Sequence, residues 1–225
     1  MLEAMNTSRQ ILVINPNSSE VVSTAIDAAL HPLRLHGGPT IRVETLVEGP
    51  PGIATQRDVE QVVLPLCRLV SRSPADAFVI SCFSDPGLLA AREAANGRPV
   101  FGIAECGLLR ALTLGERFGI IAIVPASVRR QQRYVRSMGL QDRYVGSLPV
   151  SMSAAAVTEG NAFESIKKAG ERLRDERGAD VLVLGCAGMA AHRKKLEDAI
   201  GLPIVEPSQA AVVMAIGAVC IENAQ

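Results

Sequence analysis

The sequence predicts an α/β protein made of two pseudo-symmetric lobes, each a mainly parallel sheet flanked by helices. The first observation behind this prediction is the pattern itself. Short apolar runs rich in β-branched residues alternate with helical stretches along the 225 residues, as in parallel βαβ units. The second observation is an internal repeat, in which both halves follow the same order of elements. Because ligands bind at the carboxyl ends of parallel strands, we expect the active site in the cleft between the lobes.

The elements of the first half follow from apolar runs and the residues that end them. The run QILVIN at 10–15 predicts a buried strand that stops before Pro16, and Ser18 or Ser19 can cap the helix that follows. Pro65 predicts a kink or an early break in the second helix. The predicted order is strand 10–15, helix 20–30, strand 40–47, helix 56–71, strand 76–82, helix 86–95, strand 99–103 and helix 105–114.

The second half repeats this order. Its first strand, FGIIAIV at 118–124, ends at Pro125, and its longest helix is amphipathic and charged. The predicted order is strand 118–124, helix 127–138, strand 145–150, helix 159–177, strand 180–185, helix 190–199, strand 202–205 and helix 208–222. We assign residues 1–114 and 206–225 to the first lobe and residues 115–205 to the second.

The repeat is clearest around two cysteines. A shift of 104 positions places residues 75–101 on 179–205 with eight identities, and it superimposes Cys82 on Cys186. Each cysteine then stands at the carboxyl end of a strand, just before a helix. The two lobes therefore direct one cysteine each toward the shared cleft.

Composition excludes several classes of function. Lysines and arginines equal the acidic residues in number, which argues against a nucleic-acid binder, and aromatic residues make up 3%. We expect no membrane span and no signal peptide, since the first residues lack a basic region followed by an apolar stretch. Five widely spaced cysteines predict cytoplasmic free thiols, and the three histidines show no metal-ligand spacing.

Two thiols on opposite sides of one carbon suit the inversion of a stereocentre. One thiolate removes a proton, and the opposite thiol returns a proton to the other face. A helix N-terminus after each of Cys82 and Cys186 would lower the thiol pKa, and backbone N–H groups there could hold the developing enolate oxygen. This chemistry requires neither a metal nor an organic cofactor.

These residues resemble a known family. The segments that carry the resemblance are INPNSSE (14–20), SCFSDPGL (81–88), PVFGIAE (99–105) and LGCAGMA (184–190). They are similar to the aspartate/glutamate/hydantoin racemase superfamily, and most of all to its hydantoin and allantoin racemase branch. The resemblance implies a two-lobed α/β fold, racemisation of 5-substituted hydantoins without a cofactor, catalytic Cys82 and Cys186, and a homo-oligomer. It also places Asn15 near a small-molecule substrate.

Further substrate-binding residues are predicted beside the two cysteines. Phe83 and Ala187 stand where amino-acid racemases of this superfamily usually have Asn, Thr or Ser, which favours a neutral ring held by backbone amides. Ser127 lies at the repeat position of the NPN turn, where it can also serve as a helix cap. The complete predicted substrate-binding set is Asn15, Ser81, Phe83, Ser84, Gly185, Ala187 and Ser127.

Alternatives remain open at this point. They are another isomerase or an amino-acid racemase of the superfamily, a non-catalytic small-molecule binding protein, and a thiol redox protein. Redox chemistry would need Cys82 and Cys186 close enough for a disulfide. The loop 49–55 is a candidate lid because of its Gly and Pro content, and we expect the arginines at 129, 130, 133 and 136 to form a solvated helix face.

Overall fold

The computed structural model describes residues 9–153, 156–157 and 162–221, and its framework is two four-stranded parallel sheets. The first sheet has the order β2-β1-β3-β4 and the second has the order β6-β5-β7-β8. The strands of the first sheet are β1 Gln10–Asn15, β2 Thr40–Thr45, β3 Ala77–Ile80 and β4 Val100–Gly102. Those of the second are β5 Phe118–Ala122, β6 Tyr144–Pro149, β7 Val181–Leu184 and β8 Ile204–Val205. Every strand pair is parallel, so the predicted fold class is confirmed.

Helices flank both sheets. The α-helices are α1 Glu20–Leu30, α2 Gln56–Gln61, α3 Val63–Arg72, α4 Leu88–Ala94, α5 Ile103–Leu112, α6 Pro125–Ser137, α7 Phe163–Arg177, α8 Arg193–Ile200 and α9 Pro207–Ile221. Among the described residues, 3₁₀ helices span His31–Leu33, Gln141–Arg143 and Ala187–His192. Within the described ranges, no helix is both long enough and apolar enough to cross a bilayer.

The boundaries depart from the predictions where local chemistry decides them. The predicted helix 56–71 breaks at Val62, and Pro65 stands in the first turn of α3, where a missing N–H costs no helical hydrogen bond. The helix predicted at 86–95 begins only at Leu88, after Gly87 in the left-handed conformation. The beginning of the predicted helix 159–177 and residue 222 lie outside the described residues.

Two aspartates that are identical under the repeat make equivalent hydrogen bonds in the two sheets. The Asp76 carboxylate accepts the Gln10 N–H at 2.7 Å, where β1 begins. The Asp180 carboxylate accepts the N–H groups of Glu116 and Arg117, both at 2.9 Å, just before β5. Asp76 and Asp180, which correspond under the repeat, therefore fix the start of the first strand in each lobe.

The helices α5 and α9 connect the lobes. They pack against each other, and α9 also packs on β1, β3 and β4 of the first sheet. The helix α5 contacts β4 and reaches β7 and β8 of the second sheet. One apolar cluster consequently runs through both lobes, from Val13 in β1 to Val183 in β7. The proposed lobe boundaries at residues 114 and 206 remain a prediction.

Candidate active site

A small cavity lies between the carboxyl ends of the two sheets. Its volume is about 40 Å³, and both lobes contribute to its wall. Eight of the nine predicted site residues line it, namely Ser81, Cys82, Phe83, Ser84, Ser127, Gly185, Cys186 and Ala187. The remaining wall residues are Asn17, Val22, Ile53, Ile123 and Arg130.

The two cysteines enter this cavity from opposite lobes, Cys82 after β3 and Cys186 after β7. The backbone N–H of the residue two positions further along the chain favours each thiolate, that of Ser84 for Cys82 and that of Gly188 for Cys186. Their local structures differ. Cys186 caps the 3₁₀ helix Ala187–His192, whereas Cys82 begins a turn closed by the hydrogen bond from the Asp85 N–H to its carbonyl, at 2.9 Å. The helix predicted after Cys82 is present as α4 but begins only at Leu88, so its N-terminus does not directly follow the cysteine.

The expected lowering of the thiol pKa is wrong for both cysteines. Burial raises the pKa of Cys82 to about 12 and the pKa of Cys186 to about 11. The backbone N–H groups oppose this rise without overcoming it, because the desolvation of the thiols is the larger effect. For Cys82, the negative charge of Cys186 raises the pKa further, and the positive charge of Arg130 lowers it. Both raised pKa values lie above neutral pH, so the protonated thiol is the favoured form of each cysteine.

The turn after β1 presents Asn17 to the cavity, and Asn15 does not line it. The side-chain amide of Asn15 is fully buried and donates to the Asn17 Oδ1 at 3.1 Å, to the Ser19 carbonyl at 3.1 Å and to the Ser23 Oγ at 3.0 Å. Its own oxygen accepts the Asn17 N–H. Asn15 thus organises the turn, and the residue two positions later takes the place that sequence reasoning gave to Asn15.

Ser81 and Gly185, the small residues before the two cysteines, leave space that neighbouring protein atoms occupy. The Ser81 hydroxyl hydrogen-bonds the Ser208 hydroxyl at 3.1 Å. At Gly185, an added Cβ would lie 2.6 Å from the Ile121 carbonyl oxygen and 2.8 Å from the Gln131 Nε2. Close packing of β5 and α6 therefore requires glycine at this position, quite apart from any ligand.

The helix α6 brings a cation that sequence reasoning missed. Arg130 is half-buried in the cavity wall, and its Nη1 donates to the Ala54 carbonyl at 2.7 Å. Arg129, Arg133 and Arg136 are exposed, as predicted for a solvated face. Ser127 lies on the same face of α6 as Arg130, and its hydroxyl donates to the Val124 carbonyl at 2.7 Å. Counting three residues on from Ser127 leads to Arg130, so helical spacing is the signal that could have identified it.

The loop 49–55 reaches the cavity and touches both lobes. Ile53 lines the cavity, the Pro50 carbonyl accepts the Ser18 N–H at 2.9 Å, and the Ala54 carbonyl accepts the bond from Arg130. The role of this loop as a lid stays a prediction. The contacts of Pro50, Ile53 and Ala54 are the ones that an opening of the loop would break.

Two buried carboxylates stand behind the cysteines. Asp85 accepts the N–H groups of Ala104 at 2.9 Å and Glu105 at 2.8 Å, and also the Tyr134 hydroxyl at 2.8 Å. Burial raises the pKa of Asp85 to about 6, although these three donors oppose the rise. Burial also raises the pKa of Glu206, which lies near Cys186.

Comparison with known proteins places the chain among racemases. The family model described as Asp/Glu/Hydantoin racemase matches residues 11–215. The hydantoin racemase of Paenarthrobacter aurescens is 35% identical over 209 residues, which cover 90% of this chain and 87% of that protein. The hydantoin racemase of Rhizobium meliloti is 34% identical over 211 residues, with 91% and 86% covered. The structure of allantoin racemase from Klebsiella pneumoniae superimposes with a TM-score of 0.88 at 29% identity, covering 96% of this chain and 89% of that one.

Proposed function

Since the chain belongs to the Asp/Glu/hydantoin racemase family and is a racemase, we propose that it inverts the C5 stereocentre of 5-substituted hydantoins, allantoin among them. Family membership confirms the resemblance carried by the motifs around the two cysteines. The observation that carries the proposal is the pair of thiols that enter one cavity from opposite lobes. Phe83 and Ala187, which follow the cysteines, offer no polar side chain to a charged amino acid.

In the proposed mechanism, one cysteine thiolate removes the C5 proton and the other thiol gives its proton to the opposite face. The electron pair of the broken C–H bond moves into the adjacent carbonyl, and the resulting enolate oxygen is held by backbone N–H groups beyond the cysteines. The roles of the two cysteines exchange when the other enantiomer reacts. Neither step involves a cofactor.

The reaction needs one thiolate, and burial disfavours it. We therefore expect kcat/KM to rise as the pH increases above neutrality, since the pKa values of Cys82 and Cys186 are raised. Arg130 favours the thiolate of Cys82, because a nearby positive charge lowers that pKa. A profile that falls above neutral pH would contradict a thiolate base.

The test is loss of optical rotation of enantiopure allantoin and 5-alkyl hydantoins in D₂O, corrected for spontaneous racemisation. We expect wild type to introduce deuterium at C5, and Cys82→Ser and Cys186→Ser each to lose about 10²- to 10⁴-fold in kcat/KM. Cys220→Ser is the matched control, because Cys220 is exposed and lies outside the cavity. Inert wild type on all hydantoins would refute the substrate class, and amino acids would be assayed next. Full activity in either active-site variant would refute the two-thiol mechanism.

We also propose that the protein is cytoplasmic and forms homo-oligomers. Exposed apolar side chains on α9, on α5 and just after α5 border a groove of about 690 Å³, namely Val213, Met214, Leu109 and Leu114. Sedimentation velocity over a range of concentrations tests the assembly, and a monomer throughout would contradict it.

A further inference from the structure

The cavity between the cysteines is too small for the proposed substrate. At about 40 Å³ it has room for a few water molecules but not for a ring with a substituent. A second cavity of about 270 Å³ adjoins it, and the two share Phe83, Ser84 and Arg130 in their walls. We call this second cavity the α6 pocket, because most of its wall comes from α6. The α6 pocket is thus the larger space beside the two cysteines.

Two consecutive residues in the wall of the α6 pocket carry all the unpaired buried polar atoms found on side chains in the described ranges. These three atoms are Arg130 Nε, Gln131 Nε2 and Gln131 Oε1. Gln131 is 4% exposed, so both ends of its amide are removed from water without a hydrogen bond. Leaving a buried polar group unpaired costs about 1–3 kcal/mol, and such groups are rare in folded proteins. Their concentration on two consecutive residues beside the thiols calls for a partner that binds there.

The unpaired amide is held close to the reacting centre. Its Nε2 lies 2.8 Å from the position that a Cβ of Gly185 would occupy, and Gly185 directly precedes Cys186. The lack of a side chain at Gly185 is what allows Gln131 to approach this segment. Arg130 lines both cavities, and its buried Nε is the third unpaired atom.

The chemistry of these atoms defines the complementary ligand. Gln131 offers one acceptor and a donor amine in a plane, and the Nε of Arg130 offers another donor. A ureido or carboxamide group, with a carbonyl acceptor and N–H donors in one plane, satisfies all three. An alkyl group would leave every one of them unpaired, which is the situation in which a site discriminates most strongly.

We propose that the α6 pocket binds the substituent at C5 of the substrate, and that Gln131 selects a ureido or carboxamide substituent over an alkyl one. The proposal rests on the proposed function, since it assigns part of the same substrate. It makes Gln131 a specificity-determining residue that neither proton transfer nor the fold requires.

The test compares kcat/KM for allantoin, whose C5 substituent is a ureido group, with kcat/KM for 5-isobutylhydantoin. We expect Gln131→Leu to lose about tenfold to a hundredfold with allantoin and to keep or improve activity with the isobutyl compound. Gln132→Leu is the matched control, because Gln132 is the exposed neighbour on the same helix. The Tm of Gln131→Leu should be unchanged or higher, since an apolar side chain of similar shape removes an unpaired amide.

The outcomes separate this proposal from the proposed function. Equal losses with both substrates, or no loss with either, would overturn the role of Gln131 and leave the hydantoin racemase assignment intact. If wild type racemises neither compound, titration calorimetry of allantoin against Cys82→Ser and the double variant Cys82→Ser/Gln131→Leu decides. At least tenfold weaker binding by the double variant would support the α6 pocket without turnover, and equal or absent binding would overturn it.

Discussion

The two halves of the internal repeat cap equivalent helices with carboxylates from different places in the chain. The shift of 104 that relates Cys82 to Cys186 also relates the start of α5 to the start of α9. In α5, the N–H groups of residues 104 and 105 bind Asp85. In α9, the corresponding N–H groups of residues 208 and 209 bind Glu206, at 3.1 and 2.6 Å. The two repeats therefore keep the same electrostatic contact at a helix N-terminus but supply it from different positions.

The difference depends on one glycine. Gly102 corresponds to Glu206 under the repeat, and an added Cβ at Gly102 would lie 2.3 Å from the Asp85 carboxylate. Asp85 occupies the space that a side chain at 102 would need. Asp85 also accepts the hydroxyl of Tyr134 on α6, so it ties the Cys82 turn to the helix that carries Arg130. The framework is repeated, whereas the contacts around each cysteine are individual.

Removing the two carboxylates, Asp85 and Glu206, should have the largest effect on stability. We expect Asp85→Ala to lower the free energy of unfolding by about 3–5 kcal/mol, because three buried donors lose their acceptor. Glu206→Ala should cost less, about 2–3 kcal/mol, since the Ser208 hydroxyl keeps Ser81 as a partner. Urea denaturation of both variants measures this order. A larger loss for Glu206→Ala would show that the contact to α6 contributes little.

The pH dependence of stability sharpens the comparison on the Asp85 side. Burial raises the pKa of Asp85 to about 6 from its ordinary value of 3.8, so this contribution is complete below 3.8 and is lost as the pH rises through 6. The loss amounts to about 3 kcal/mol. The free energy of unfolding of wild type should therefore decline toward that of Asp85→Asn between about pH 4 and pH 7. Glu206 titrates equally in both proteins, so a difference that does not change with pH would contradict the raised pKa.

The repeated framework could be predicted from the sequence, and the individual contacts could not. The apolar runs place every strand, and the shift that aligns the cysteines also aligns Asp76 with Asp180, because strand entries depend on local hydrogen bonds. The unpaired amide of Gln131 and the raised pKa values of the two thiols could not be predicted, because both result from burial between segments that are distant in sequence. Asn15 was favoured over Asn17 because spacing does not reveal which of two nearby amides the turn itself consumes.

Gly102→Ala tests whether the glycine is what permits Asp85 to reach α5. The new Cβ would lie 2.3 Å from the Asp85 carboxylate, so the Asp85 side chain has to move. All three of its hydrogen-bond donors are still present in this variant. We expect a loss of about 1–3 kcal/mol in the free energy of unfolding, which is typical of overpacking. Gly52→Ala is the control, since a Cβ at Gly52 meets nothing within 4 Å. Equal stability of the two variants would show that Asp85 can be displaced freely.

Tyr134→Phe isolates the smallest element of the difference, the hydrogen bond from the Tyr134 hydroxyl to Asp85. It removes one hydroxyl from Asp85 and leaves both α5 N–H bonds in place, so the stability should fall by only about 1 kcal/mol. Tyr134 stands on α6 near Arg130 and Gln131, and loss of the bond frees this helix from the Cys82 turn. We therefore expect a lower kcat with a nearly unchanged KM, measured on the best hydantoin substrate, because the thiols and the binding groups remain but their alignment loosens. An unchanged kcat would mean that α6 is positioned by its apolar packing alone, and that the third partner of Asp85 serves stability without affecting the reaction.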